Sequence, residues 1–261
     1  QCWPAVSLGR YDGYIAATGA AMRPYFYHRH PLFCLLALVW LAAALLTGCS
    51  QEPKQRATFI TFLQTRILDR PGATIPLLGK EDKAQLGEDY ASQYAVIQAF
   101  HEALNDSVSK PARALLSKGS FHSVGDIMKR REDLKTMQDG VQQLRKALDE
   151  NLAKADAAHA AMKQPEDLKA VFDKAYAKTV TVPANAFKDT FPAIDAMFAS
   201  VGKVVAYIDA HRDQIKVSGA MLEVSDPKLQ AELQALLHDL NSKGQAVNAA
   251  QDALLKAVNR S

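Results

Sequence analysis

The chain has 261 residues, of which 48% are hydrophobic, 23% charged and 8% aromatic, and its 31 Lys+Arg against 28 Asp+Glu leave a formal net charge of +3. These values exclude a disordered tail, a disulfide scaffold and a polytopic membrane protein. The basic excess is too small for the footprint of a dedicated nucleic-acid binder, so no nucleic-acid partner is expected.

Residues 1–21 precede Met22 and show no periodic pattern, and they read as an upstream extension of the reading frame. From Leu32 to Leu46 no residue is charged, and Arg23 and Arg29 stand just before the run. Fifteen helical residues reach roughly 23 Å, short of a hydrocarbon core of roughly 30 Å. Basic flank, short apolar run and small residues are the layout of an export signal, here residues 22–48. The run ends in Leu46-Thr47-Gly48-Cys49, which resembles the lipobox of bacterial lipoproteins. That resemblance implies cleavage before Cys49, diacylglycerol on its thiol and an acylated new amino terminus. Each buried CH₂ adds about 0.8 kcal/mol, so two or more chains give lasting membrane anchorage. The competing reading, an uncleaved transmembrane helix that happens to end in Cys, suits so short a run less well. By the same resemblance Ser50, in place of Asp, favours the periplasmic leaflet of the outer membrane over the inner membrane.

Cys2 and Cys34 fall before the cut, which leaves Cys49 alone and makes internal disulfides and thiol chemistry improbable. The mature chain has 213 residues (261 minus 48) and a charge of +1 (28 basic minus 27 acidic). It is long enough for one sizeable core. Residues 49–53 are expected to be an acylated tether and 54–261 a single helical periplasmic domain.

From Lys54 the apolar spacing is helical. Phe59, Ile60, Phe62, Leu63, Ile67 and Leu68 form one face, ended by Arg70-Pro71-Gly72. A second helix is predicted over 80–117, with Leu86, Tyr90, Tyr94, Ile97, Phe100, Leu104 and Val108 inward and a break or kink at Pro111. A third opens on a capping box at Ser123 and Asp126 and, if unbroken, runs over 124–162. Its stripe comprises Leu134, Met137, Val141, Leu144, Leu148, Leu152, Ala155 and Met162, near-heptad steps with one stutter, and Gly140 is its weak point. At about 58 Å such a helix outreaches a compact domain of this size. A fourth helix starts with Pro165 and is ended by the β-branched run 179–183. The next carries Phe187, Ile194, Phe198, Val201, Val205 and Ile208, with a kink at Pro192. The period changes over 215–224, which fits a small hairpin. Asp226-Pro227 then caps a final helix with Leu229, Leu233, Leu236, Leu240, Val247, Leu254 and Val258 inward. The fold class is therefore all-α: an elongated antiparallel helical bundle with coiled-coil-like long helices. The stripes read as an intramolecular core in preference to a dimeric coiled coil.

The segments Asp156-Ala-Ala-His159-Ala-Ala-Met-Lys-Gln164, Asp167-Leu-Lys-Ala-Val-Phe172-Asp-Lys-Ala, Thr181-Val-Pro183-Ala and Phe59-Ile-Thr-Phe-Leu-Gln64 resemble the YiaF-like enterobacterial lipoproteins. The resemblance runs over most of the mature chain and implies an envelope lipoprotein with a helical domain. It brings no activity, substrate or catalytic residue with it. The chain departs from the pattern in its extension before Met22.

Candidate chemistry is sparse. Asp156 and His159, three apart on one helix face, are the weak candidates for a metal site. A ferritin-type centre needs two such pairs with further carboxylates, so the bland reading has His159 bonding a neighbouring helix. His101-Glu102, His122, Asp209 with His211, and His238-Asp239 lack the spacing of a two-ligand metal motif and read as surface or packing residues. The basic cluster Lys129-Arg130-Arg131 is followed by Glu132 and Asp133, which fits a solvated face better than a phosphate site. No cofactor, metal or catalytic residue is expected, and the chain reads as a non-enzymatic module that meets another envelope protein. The alternative is a small-molecule or lipid-binding lipoprotein with a cavity between its helices.

Overall fold

The computed structural model describes residues 51–117, 121, 123–219 and 221–260. The chain divides into two units, Gln1–Gly48 and Cys49–Ser261, and every described residue belongs to the second. Leu46, Thr47, Gly48, Cys49, Ser50 and His122 lie outside the described residues.

The fold is all-α with one two-stranded hairpin. Helix α1 spans Glu52–Leu63 and continues as a π turn, Gln64–Leu68. It begins two residues before the expected boundary, because Pro53 in the first turn sacrifices no needed donor and Glu52 complements the helix dipole. The expected second helix is divided into α2, Lys80–Leu104, a π turn Asn105–Ser109 and α3, Lys110–Ser117. Within α2, Gly87 takes φ 77° and ψ 167° and bends the chain, in a conformation that costs glycine least. A Cβ there would also strike the Gln55 side chain of α1.

The expected unbroken third helix does not exist. Val124–Lys129 is a separate helix, α4, and α5 spans Arg131–Ala160. The break is at Arg130, with φ −113° and ψ 40°, whose guanidinium bonds Asp126 on one side and Asp133 on the other. Tertiary packing explains it: α4 lies against the hairpin, where Gly125 meets the Gly219 carbonyl, while α5 enters the main core. Ser123 does cap α4, its Oγ accepting the Asp126 N–H at 3.1 Å. Gly140 is a close-approach point and not a weak one, since a Cβ there would run into Leu115 of α3.

The β-branched run 179–183 does not end the fourth helix either. Pro165 is the N-cap of α6, Glu166–Tyr176, which continues through a π turn, Ala177–Thr181, into α7, Val182–Lys188. Pro111 and Pro183 each stand two residues after a π turn. Proline cannot donate to the carbonyl four residues back and its ring crowds that turn, so the wider π geometry absorbs the mismatch. In place of a kink at Pro192, the chain breaks at Asp189-Thr190 and Pro192 enters the first turn of α8, Phe191–Ala210. Strands β1, Ile215–Ser218, and β2, Met221–Val224, pair antiparallel with Ser218 opposite Met221. Helix α9 spans Pro227–Arg260, and Asp226 Oδ1 accepts the N–H groups of Lys228 and Leu229.

Two apolar clusters form. The larger joins α1, α2, α5, α6 and α7 around Phe59, Tyr94, Leu148, Leu168 and Phe172, all fully buried. The smaller joins α8, β1 and α9 through Val204, Ile208, Ile215 and Leu233. The stretch Glu166–Ala210 is apolar enough by composition to cross a bilayer, with mean hydropathy 1.4 in its most apolar window, yet Phe172, Phe191, Phe198, Val201 and Ile208 are buried inside the fold.

Candidate functional site

Two places carry the chemistry the sequence singled out, and one carries a pocket it did not. Asp156 and His159 sit near the end of α5, where each finds its own partner on α6. Asp156 Oδ1 accepts the Tyr176 hydroxyl at 2.7 Å. His159 Nε2 donates to Asp173 Oδ1 at 2.8 Å, and its ring stacks on Tyr176 with centroids 4.1 Å apart. Burial raises the Asp173 pKa, but Lys169 at 2.7 Å and His159 outweigh it, so the carboxyl lies below its ordinary value. The Tyr176 hydroxyl is pushed up by burial and by Asp156. The two metal candidates are thus joined to α6 by separate bonds. No group of three or more His, Cys, Asp or Glu among the described residues is arranged to hold a metal ion.

The other sequence candidates are dispersed. His101 lies half-buried, and its Nε2 donates to the carbonyl of Thr179, in the π turn after α6, at 2.6 Å. That carbonyl lies four residues before Pro183, whose nitrogen has no hydrogen to offer it. Burial depresses the His101 pKa and the Thr179 bond offsets part of that. Asp209 pairs with Arg131 through two 2.7 Å bonds, and the guanidinium holds its carboxyl below the usual range. His211 Nδ1 donates to the Tyr207 carbonyl, and Asp239 accepts the Ser200 hydroxyl. His238 is exposed on α9. In the basic cluster, Arg130 and Arg131 are engaged by Asp126, Asp133 and Asp209.

The pocket lies where α3, α5, α7, α8 and α9 meet, with a volume of about 230 Å³. Its wall includes Leu115, Val141, Leu144, Phe191, Ile194 and Leu254. Several of these were legible as stripe positions, but a stripe does not reveal that it will be only half covered. Of the polar lining residues, Thr190 donates its hydroxyl to the Phe187 carbonyl at 2.7 Å, and Gln251 is exposed on α9. Beside the pocket wall, Arg145 follows Leu144 in the chain and its guanidinium carbon lies 4.8 Å from the centre of the Phe191 ring. Its Nη2 donates to Asp195 Oδ2 at 2.6 Å, while its Nε is buried without a hydrogen-bond partner. A cleft with mostly hydrocarbon walls can hold an apolar molecule.

The fold and this pocket define an all-α protein of packed long helices with an apolar cleft between them. The chain belongs to the family described as protein of unknown function DUF3053, whose model matches residues 36–255. It is 30% identical over 244 residues to the uncharacterised protein YiaF of Escherichia coli K12, covering 93% of this chain and 99% of that relative. The same values hold for YiaF of Shigella flexneri and of Escherichia coli O157:H7. No solved structure matches the chain.

Proposed function

We propose that the protein is a cell-envelope lipoprotein, held to a membrane by acyl chains on Cys49, whose helical body is a periplasm-facing structural or protein-interaction module. One observation carries this reading: a charge-free apolar run that ends in Leu46-Thr47-Gly48-Cys49 stands directly before the helical domain. Helix α1 begins at Glu52 with Gln51 as its N-cap, so only Ser50 and Gln51 separate the anchor from the fold. Three residue steps reach about 10 Å when extended, which keeps the domain at the lipid surface. Ser50 favours the outer membrane. The partner is another envelope protein, and exposed apolar side chains such as Leu77 and Leu255 offer contacts for it. Asp156, His159 and Asp173 serve packing between α5 and α6 in this reading, and no turnover is assigned to them. Replacing Cys49 by Ser should abolish metabolic labelling with a fatty-acid probe and release the protein from membranes. Labelling that survives the substitution refutes the anchor.

The second reading is a lipoprotein that binds a small apolar molecule or a lipid. The observation that favours it is the pocket of about 230 Å³ among five helices. A volume in that range suits a slender apolar group.

A further inference from the structure

We propose that α3 is a hinged flap over the cleft, with Leu115 as its latch and Gly140 as the socket. The role given to the flap, admitting an apolar molecule, rests on the second reading above. Leu115 lines the cleft of about 230 Å³ and also a second cavity, of about 390 Å³. That second cavity lies between α3 and α5, walled by Pro111, Ala114, Gln143 and Ala147, and Leu144 borders both spaces. One side chain of α3 thus helps to keep two cavities apart. It can sit there because residue 140 carries no Cβ. A Cβ at that position would stand 2.6 Å from a Leu115 methyl and 3.2 Å from its Cγ.

Little else holds α3 against α5. None of its described side chains is buried, and Pro111, Ala112 and Leu115 are half-buried. Its side-chain bonds are local: Lys110 donates to Asp106, Arg113 to Asn105 and the Ser109 carbonyl, and Ser117 to the Ala114 carbonyl. Among the described residues, lifting α3 therefore breaks no side-chain hydrogen bond to another element. The π turn before it is fixed by contrast. Val108 is fully buried there, and Asn151 of α5 donates to Ser107 Oγ at 2.8 Å. A pinned turn followed by a helix held through a few apolar contacts is a hinge with a flap, because few contacts mean a small cost of local opening. Opening withdraws Ala112 and Leu115 from the cleft wall and joins the two cavities.

The test measures the distance between nitroxides carried on ketone-bearing unnatural side chains at the exposed positions 113 and 88, in the full chain in nanodiscs. The native protein should show one dominant distance and a minor longer one. Gly140→Ala, whose methyl meets Leu115, and Leu115→Ala, which removes the latch, should each raise the ratio of long to short about tenfold. Gly202→Ala, where an added Cβ meets nothing, should leave it unchanged. Leu115→Cys combined with Gly140→Cys can form a disulfide, since Leu115 Cγ lies 3.2 Å from the place of a Cβ at 140. Oxidation of that pair should abolish the longer distance and slow the uptake of ¹³C-labelled decane into a distinct bound resonance, and reduction should restore both. Melting curves of all variants confirm that the helices remain folded. Distances that ignore both Gly140→Ala and Leu115→Ala overturn the flap and leave the second reading standing. A flap that opens while no variant yields a bound decane resonance overturns the second reading, and the role of entrance with it. Decane uptake that ignores the disulfide overturns the role of entrance alone.

Discussion

The two clusters of the domain are packed to different standards. The rings of Phe59, Phe62, Tyr90, Tyr94, His159, Phe172 and Tyr176, seven in all, interlock at centroid distances of 4.1–6.5 Å, and Phe59, Tyr94 and Phe172 have no exposed surface. Toward α8 and α9 the helices are as long but the covering is thinner. Along α9 only Leu229 and Leu233 are buried, and Leu236, Leu240, Val247, Leu254 and Val258 stay half-buried. The same gradient runs along α5, where Leu144, Leu148, Leu152 and Ala155 are buried and Leu134, Met137 and Val141 are not. Full burial thus gathers around the aromatic cluster, and partial cover gathers along α9 and the first turns of α5. Leu144 and Phe191 belong to both core and cleft, buried in the larger cluster and lining the cleft, whereas Phe59, Tyr94 and Phe172 are core residues that do not line it.

The largest effect expected is from truncation in the aromatic cluster. Phe172 is fully buried, with ring centroids of Phe59 at 6.1 Å, His159 at 5.5 Å and Tyr176 at 6.5 Å. Tightly interlocked rings cannot collapse into the space left behind, so Phe172→Ala should destabilise the domain by about 3–5 kcal/mol in urea unfolding. A loss under about 1 kcal/mol would show that this half is no better packed than the other and remove the contrast.

How much of this was readable beforehand follows from what periodicity encodes. The inward residues of α1 and α2 are those the spacing marks, from Phe59 to Ile67 and from Leu86 to Val108, because burial there is dictated by one face of one helix. The cap at Asp226 and the hairpin at 215–224 are equally local, and they stand where turn chemistry puts them. The junctions are decided differently. Whether Pro183 ends a helix or is absorbed depends on a π turn and on a histidine 78 positions earlier that takes the stranded Thr179 carbonyl. The break at Arg130 depends on α4 packing against the hairpin, and the role of Gly140 depends on Leu115 of α3. The pocket is a matter of how closely five helices approach, which no stripe specifies. The Asp156 and His159 pair illustrates the same limit: the spacing put them on one face, but their partners, Tyr176 and Asp173, come from the next helix.

A smaller effect is expected from pH, through His101 at the edge of the aromatic half. Its folded pKa lies below the ordinary 6.5 because burial disfavours the charged ring. The neutral form is therefore the one the fold holds. Its contribution is complete above pH 6.5 and is lost as pH falls from there toward the folded pKa, at up to about 1.4 kcal/mol per pH unit. His101→Gln keeps a donor for the Thr179 carbonyl and does not titrate. Urea midpoints between pH 7.5 and 5.5 should fall more steeply for the native protein than for this variant, and equal slopes would place the ring in a more solvated setting than its bond to Thr179 implies.

The sharpest discrimination comes from asking the same insertion of two valines, one of which should tolerate it with almost no effect. Val180 is fully buried in the π turn between α6 and α7, whereas Val141 is half-buried on the pocket wall. Valine and phenylalanine have similar helix propensities, so Val→Phe at either position tests space far more than backbone preference. At 180 the added ring has nowhere to go and must force its neighbours off their rotamers, at about 1–3 kcal/mol. At 141 it can enter a pocket of about 230 Å³ and gain contacts that offset the lost freedom, which leaves the change within about 0.5 kcal/mol. Should both variants unfold at the same denaturant concentration, the pocket wall would be as intolerant as the core, and the room assigned to a ligand would not exist in solution.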